Sequence, residues 1–316
     1  MTIQSDQLSV GNSFAAELDM KVMGENHENE TLMATHWNGN MQKTVLRTES
    51  LVVLIAICLS LSVAKSMDQS TSVRSGRLVL VELFTSQGCD MCPTAERILG
   101  ELGDSNRSVA PVALHVDYFN RPWKDPFSDS LFSDRQMSYH NTYKGPKDPK
   151  LGLYYTPMMM VDGMTTVNGR DPARLRAAVA AARKKPPGVR IQGRVERKPS
   201  AMGPIRLNVS LTPVSEKLKG RDQLLCAILR DDSVTTNVDS GENAGKTLTN
   251  RFPARKMQFQ TLKFESKAAR EISLEFSMDP SWDQSRLSFV IFLQDVATGE
   301  VHQTSVIALS SSGSSK

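Results

Sequence analysis

Residues 77–103, RLVLVELFTSQGCDMCPTAERILGELG, set the fold reading. The first eight, RLVLVELF, are apolar and β-branched with a single carboxylate, Glu82, as in a buried strand. Thr85-Ser86-Gln87-Gly88 then makes a turn. From Cys89 onward, Ala95, Ile98, Leu99 and Leu102 recur at helical spacing, and Gly103 is the expected stop. Residues 109–116, VAPVALHV, read as a second apolar strand, with His115 and Asp117 at its end. Strand, turn, helix and strand form a βαβ unit, and Cys89-Asp90-Met91-Cys92 sits at its first strand-to-helix turn.

A CxxC at such a turn has a chemical reason. Unpaired backbone N–H groups and the helix dipole favour negative charge at the first sulfur, which lowers its pKa and supplies thiolate. The second sulfur lies one turn inward and can resolve a mixed disulfide. Cys89 is thus the candidate nucleophile and Cys92 the resolving thiol. Pro93 suits an early helical position. Asp90 adds negative charge beside the thiolate and makes the couple less oxidising. Glu82, on the strand leading in, is a candidate proton relay for Cys92, or else an exposed carboxylate near a strand end.

Downstream, residues 118–150 are rich in Asp, Pro, Ser and Tyr and read as an insertion holding one helix. Residues 154–162, YYTPMMMVD, give a strand entered through Thr156-Pro157. Asp162-Gly163 is a hairpin turn and Thr165-Thr166-Val167 begins the return strand. In thioredoxin folds a cis-proline before this hairpin stands against the dithiol and shapes a peptide groove, and Thr156-Pro157 resembles that element in its position. Asp171-Pro172 opens a last helix, and Pro186-Pro187-Gly188 breaks it. From 189 on, the runs 205–214, 223–232, 257–264, 270–276 and 286–296 are short strands with turn residues between them. The expected fold is therefore an α/β thioredoxin-like domain at 77–187, with the 118–150 insertion, followed by an all-β sandwich-like domain at 188–311. Residues 312–316 form a disordered tail.

The other end of the chain is a leader. Residues 51–63, LVVLIAICLSLSV, are too short for a transmembrane helix, which needs about 20 residues. Lys43 and Arg47 precede the run and Ser62-Val63-Ala64 closes it, as in a secretory signal peptide cleaved after Ala64. Residues 1–40 form a disordered or misannotated extension with Met41 as the natural start, 41–64 the signal peptide, and 65–76 a linker. The mature protein is expected in an extracytoplasmic compartment, with membrane contact only through the leader. A net charge of +4 over 316 residues does not suggest nucleic-acid binding. Cys58 lies in the apolar run, and Cys226, inside LLCAIL, reads as a buried inert thiol.

Taken together, VELFTSQGCDMCPTAERILGEL, ALHVDYFNRPWKDPFSD, Tyr155-Thr156-Pro157, Val161-Asp162-Gly163 and GENAGKTLTN at 241–250 resemble the bacterial secreted thioredoxin-like family known as domain of unknown function 1223. Asn250 stands where that pattern leads one to expect a histidine. The resemblance covers about residues 77–310 and implies a thioredoxin-like domain with a β-rich domain behind it. It implies no defined reaction.

Three functions compete on these residues. The first is a thiol–disulfide oxidoreductase whose only redox group is the Cys89–Cys92 disulfide. Its partners are thiols or disulfides of exported proteins, or a redox partner protein, and Trp123 with the insertion narrows access. The second is a copper(I)-handling protein using Cys89, Cys92 and His115. His115 reads in preference as a hydrogen-bonded structural histidine. The third is a non-enzymatic binding module in which CxxC is a structural disulfide.

Overall fold

The computed structural model describes residues 77–197 and 203–309; the expectations for 1–40, 41–64, 65–76 and 312–316 lie outside these residues. Strand β1 (Val79–Thr85) is buried along its whole length. On one side it pairs in parallel with β2 (Val109–His115), from Val79↔Val109 to Thr85↔His115. On the other it pairs antiparallel with β3 (Met158–Val161), which turns into β4 (Thr165–Asn168). The turn is legible in its residues: Asp162 has φ 47° and Gly163 φ 68°, conformations that Asp tolerates and Gly adopts freely.

Three helices serve this sheet. Helix α1 (Cys92–Ser105) joins β1 to β2 and runs two residues beyond Gly103. Helix α2 (Ser130–Thr142) lies in the 118–150 stretch. Helix α3 (Pro172–Ala182) follows β4, and Asp171 caps it by accepting from the Arg174 N–H at 3.0 Å.

Side chains alternate across β1, so its two faces meet different partners. Val79, Val81 and Leu83 pack with Ala95, Ile98 and Leu99 of α1 and with Leu175 and Val179 of α3. Leu80 and Phe84 face the other way, onto Phe132 and Tyr139 of α2. Burial of each such side chain contributes about 2 kcal/mol relative to exposure.

The remaining strands are β5 (Val189–Arg197), β6 (Ile205–Pro213), β7 (Asp222–Asp231), β8 (Ser233–Asn237), β9 (Thr247–Arg251), β10 (Ala254–Lys263), β11 (Arg270–Phe276), β12 (Leu287–Asp295) and β13 (Val301–Ala308). They form sheets ordered β10-β7-β12-β13, β11-β6-β5 and β8-β9. The first two stack through Leu207 and Val209 on one side and Leu225, Ala227, Phe289 and Ile291 on the other. Strands β5, β8, β9 and β13 were not among the runs singled out from the sequence.

The expected α/β class is corrected by this arrangement. Among the described residues three α-helices stand against thirteen strands, and every strand pair except β1–β2 is antiparallel. The molecule is mostly β-sheet and not a typical α/β thioredoxin fold. The reason lies on the Leu80–Phe84 face. An α/β domain covers both faces of its sheet with helices. Here that face receives only α2, and the rest of the cover is the back of β10-β7-β12-β13, through Cys226, Ile228, Val290 and Phe292.

Candidate functional site

The dithiol is built by two tight turns between β1 and α1. The Cys89 N–H donates to Ser86 O and the Cys92 N–H donates to Cys89 O, each at 3.2 Å. Helix α1 then starts at Cys92 with Met91 as its cap, and Pro93 falls in the first turn, where its missing N–H costs nothing. Both cysteines are free thiols. Cys89 is 2% exposed and Cys92 fully buried. The pair is electrostatically unequal. Hydrogen bonding from the Cys92 thiol, with the nearby Thr156 hydroxyl and the Met91 and Cys92 backbone adding to it, holds Cys89 down at about 7, against the opposing effect of burial. Burial and the neighbouring Cys89 push Cys92 well up.

Behind Cys92 runs a chain of buried polar groups. The Thr85 side chain hydrogen-bonds with Cys92, and its hydroxyl donates to Glu96 Oε1 at 2.9 Å. Glu96 Oε1 lies 3.9 Å from His115 Nε2. His115 Nδ1 lies 2.7 Å from Asp125 Oδ2, which also accepts from the Gln87 N–H at 2.7 Å. Asp125 Oδ1 accepts from the Phe127 N–H at 2.9 Å. Burial raises the Glu96 carboxyl, with His115 pulling the other way. Burial acts to lower His115, but the Asp125 charge, the Asp125 hydrogen bond and the Glu96 charge together outweigh it and the imidazole is raised. Burial acts to raise Asp125, yet His115 and the backbone N–H donors leave it lowered. The Asp125 carboxylate makes the imidazole hold a proton more readily than a free histidine, beside a Glu96 carboxyl that holds its own more readily than a free glutamate.

Glu96 was missed in the sequence, although it lies four residues after Cys92 and so on the same helix face. Glu82, proposed there as the relay, is corrected. It is fully buried on the Leu80–Phe84 face, away from α1. Its carboxylate is taken by Arg135, which pairs through Nε and donates from a second nitrogen at 3.0 Å, and by the Tyr139 hydroxyl at 2.6 Å. Glu82 therefore ties β1 to α2 and does not reach Cys92.

The Thr156–Pro157 peptide is cis. Pro157 is buried beside Gly169, a glycine at which any Cβ would lie 2.8 Å from Pro157 Cβ and 2.9 Å from Ala95 Cβ of α1. Trp123 is half-buried. The copper set of Cys89, Cys92 and His115 does not assemble: among the described residues no three His, Cys, Asp or Glu side chains are grouped to hold a metal ion. Cys226 is buried in the core and pushed up to about 12 by burial, as suits an inert thiol.

A second element reaches the dithiol from far along the chain. The β8–β9 hairpin sets residues 238–246 against the Cys89 turn. Asn243 donates through Nδ2 to Gln87 O and to Cys89 O, both at 2.8 Å. Glu242 Oε2 accepts from the Asp90 N–H at 2.9 Å. Gln87 donates through Nε2 to Thr236 Oγ1 and to Asn250 Oδ1, both at 2.8 Å. The only advance sign of this contact was the GENAGKTLTN resemblance.

The model of the family described as protein of unknown function (DUF1223) matches residues 80–294, a span that contains both the dithiol turn and this hairpin. The chain belongs to that family. Comparison with curated proteins gives no match. Among solved structures, this DUF1223 chain is similar to a protein of Agrobacterium tumefaciens, at 18% identity and TM-score 0.55, over 77% of this chain and 99% of that one. It is also similar to HBP35 of Porphyromonas gingivalis, at 12% identity and TM-score 0.54, over 76% of this chain and 79% of that one. These likenesses concern the fold alone. No helix among the described residues is long and apolar enough to cross a membrane.

Proposed function

We propose that the chain is a thiol–disulfide oxidoreductase acting through Cys89 and Cys92 on exported proteins. The observation that carries this reading is the inequality of one buried thiol pair. Cys89 is held down chiefly by the Cys92 thiol, whereas Cys92 backs onto Thr85, Glu96, His115 and Asp125. A thiol poised near neutrality attacks; a buried thiol beside a proton acceptor resolves.

In the reducing direction, Cys89 thiolate attacks one sulfur of a substrate disulfide. The substrate S–S bond breaks, a mixed disulfide forms and one substrate thiolate leaves. Cys92 passes its proton by way of the Thr85 hydroxyl to Glu96 and attacks Cys89 sulfur. The second substrate thiolate leaves and the Cys89–Cys92 bond closes. Two electrons move from the dithiol to the substrate, and the two released thiolates take up one proton from Glu96 and one from solvent, the latter replacing the proton Cys89 lost on becoming a thiolate. The oxidising direction is the same sequence reversed.

The leader read at 41–64 supports an extracytoplasmic setting, where disulfides form and persist. The test is a redox titration of the mature protein against glutathione. The reading expects one reversible two-electron couple that disappears in Cys89→Ala. A Cys89–Cys92 bond that forms but exchanges with no disulfide would overturn it in favour of a binding module with a structural bridge.

A further inference from the structure

The dithiol is nearly closed to solvent, and the cover comes from the β8–β9 hairpin. Gly241 has φ 87°, and a Cβ there would lie 3.7 Å from Gly88 Cα, so the loop rests directly on the cysteine turn. Asn243 is fully buried. Lys246 donates through Nζ to Asn243 Oδ1 at 2.8 Å, which turns the amide NH2 toward Gln87 O and Cys89 O.

The seat is polar. Strands β8 and β9 are exposed or half-buried at every position except Asn250. Apart from the buried Val238 side chain, the cover is held by hydrogen bonds and by the Arg251–Asp104 ion pair to α1, each contributing only about 1 kcal/mol net. The groups it occupies have a definite character. Two carbonyls, of Gln87 and Cys89, and one amide, of Asp90, form a short backbone edge filled by side chains of Asn243 and Glu242. Extended polypeptide carries N–H and C=O groups that match such an edge. Exposed Met91 and Tyr118 add apolar surface, at 40% and 37% exposure, and Tyr118 packs at a tilt against Tyr154 with ring centroids 4.6 Å apart.

We propose that the β8–β9 hairpin is a displaceable cover over Cys89, and that an extended, disulfide-bearing polypeptide lifts it by taking over the backbone edge held by Asn243 and Glu242. This deepens the oxidoreductase reading and rests on it for the identity of the displacing partner. The cover itself is tested without any exchange chemistry.

The experiment is alkylation of the reduced full-length protein by iodoacetamide, mapped by mass spectrometry at Cys89 and Cys226. Asn243→Ala and the exposed-site variant Glu242→Ala are compared with wild type. Cys89 labelling is expected to rise about tenfold in Asn243→Ala, as loss of one or two hydrogen bonds predicts, and by a smaller factor in Glu242→Ala, with Cys226 unlabelled in both. A second arm uses a disulfide-bearing peptide in place of iodoacetamide. Because the peptide lifts the cover itself, the gain over wild type is expected to be several-fold smaller. Cys89 rates within twofold of wild type in both variants overturn the cover. Cys226 labelled in step with Cys89 in both variants shows global opening and also overturns it. Equal gains with the small reagent and the peptide overturn the polypeptide displacer. Absence of any peptide exchange in wild type and variants alike, with the alkylation gain intact, sinks the oxidoreductase reading and leaves the cover standing.

Discussion

Replacing Asp125 with Asn tests the charge chain behind the dithiol. Asp125 accepts three hydrogen bonds, from the Gln87 N–H, His115 Nδ1 and the Phe127 N–H, at 2.7 to 2.9 Å. An asparagine has one oxygen to accept and one NH2 that cannot. In either orientation at least one buried donor loses its partner, and the imidazolium loses its counter-charge in a site where His115 is fully buried. Together these cost about 3 kcal/mol. In a domain of this size that lowers Tm by about 6–12 °C.

The loss must depend on pH. Asp125 is lowered on folding, so its contribution is present above its unfolded value and is lost as pH falls through the folded one. His115 is raised, so its contribution is full below its unfolded value and fades as pH rises through the folded one. Other charges face the imidazole: Glu96 raises it and Arg255 lowers it. The pair is therefore fully stabilising between the unfolded values of the two groups, roughly pH 4 to 6.5. Thermal melts of reduced wild type and Asp125→Asn should differ by the full amount at pH 6. By pH 9 the difference should be smaller, because the His115 contribution fades as pH rises while the Gln87 and Phe127 N–H bonds to the Asp125 carboxylate remain. An equal Tm difference at both pH values would refute the charged pair.

Other consequences can be checked alongside. The pH dependence of Cys89 alkylation should have its midpoint at about 7 in wild type, and Cys92→Ala should move that midpoint upward by removing the hydrogen bond that lowers it most. Glu96→Gln should slow disulfide exchange by about 100-fold at pH 7 in stopped-flow, the lower range for loss of a general base, while Cys89 alkylation keeps its pH midpoint. Glu82→Gln should do the reverse: urea denaturation should show a loss of about 3 kcal/mol from a broken buried pair with Arg135, with exchange by the folded protein unchanged. Gly163→Ala should destabilise by at least about 1 kcal/mol in the same assay, because φ is 68° and a Cβ there would lie 1.8 Å from Gly299 O.

Local features were legible in the sequence. The β1 run, the cysteine turn, the Asp162-Gly163 hairpin and the Asp171 cap each depend on residues within a few positions of one another, and each forms. What depended on long range was not legible. Alternation along β1 places Glu82 with Leu80 and Phe84, but nothing local says which face receives α1, so the wrong carboxylate was set behind Cys92. The i to i+4 spacing of Cys92 and Glu96 was a usable signal. The fold class failed for the same reason: the cover of the Leu80–Phe84 face comes from strands more than 130 residues downstream. Asn243 reaches Cys89 across 154 residues and left no pattern near the dithiol.

The most direct test of the central claim, that Cys89 attacks and Cys92 resolves, is mixed-disulfide trapping. Cys92→Ser and Cys89→Ser proteins are each incubated with a disulfide-bearing peptide and analysed by mass spectrometry. The account predicts a stable adduct on Cys89 in Cys92→Ser and none on Cys92 in Cys89→Ser. An adduct on Cys92, or equal adducts in both variants, would contradict it.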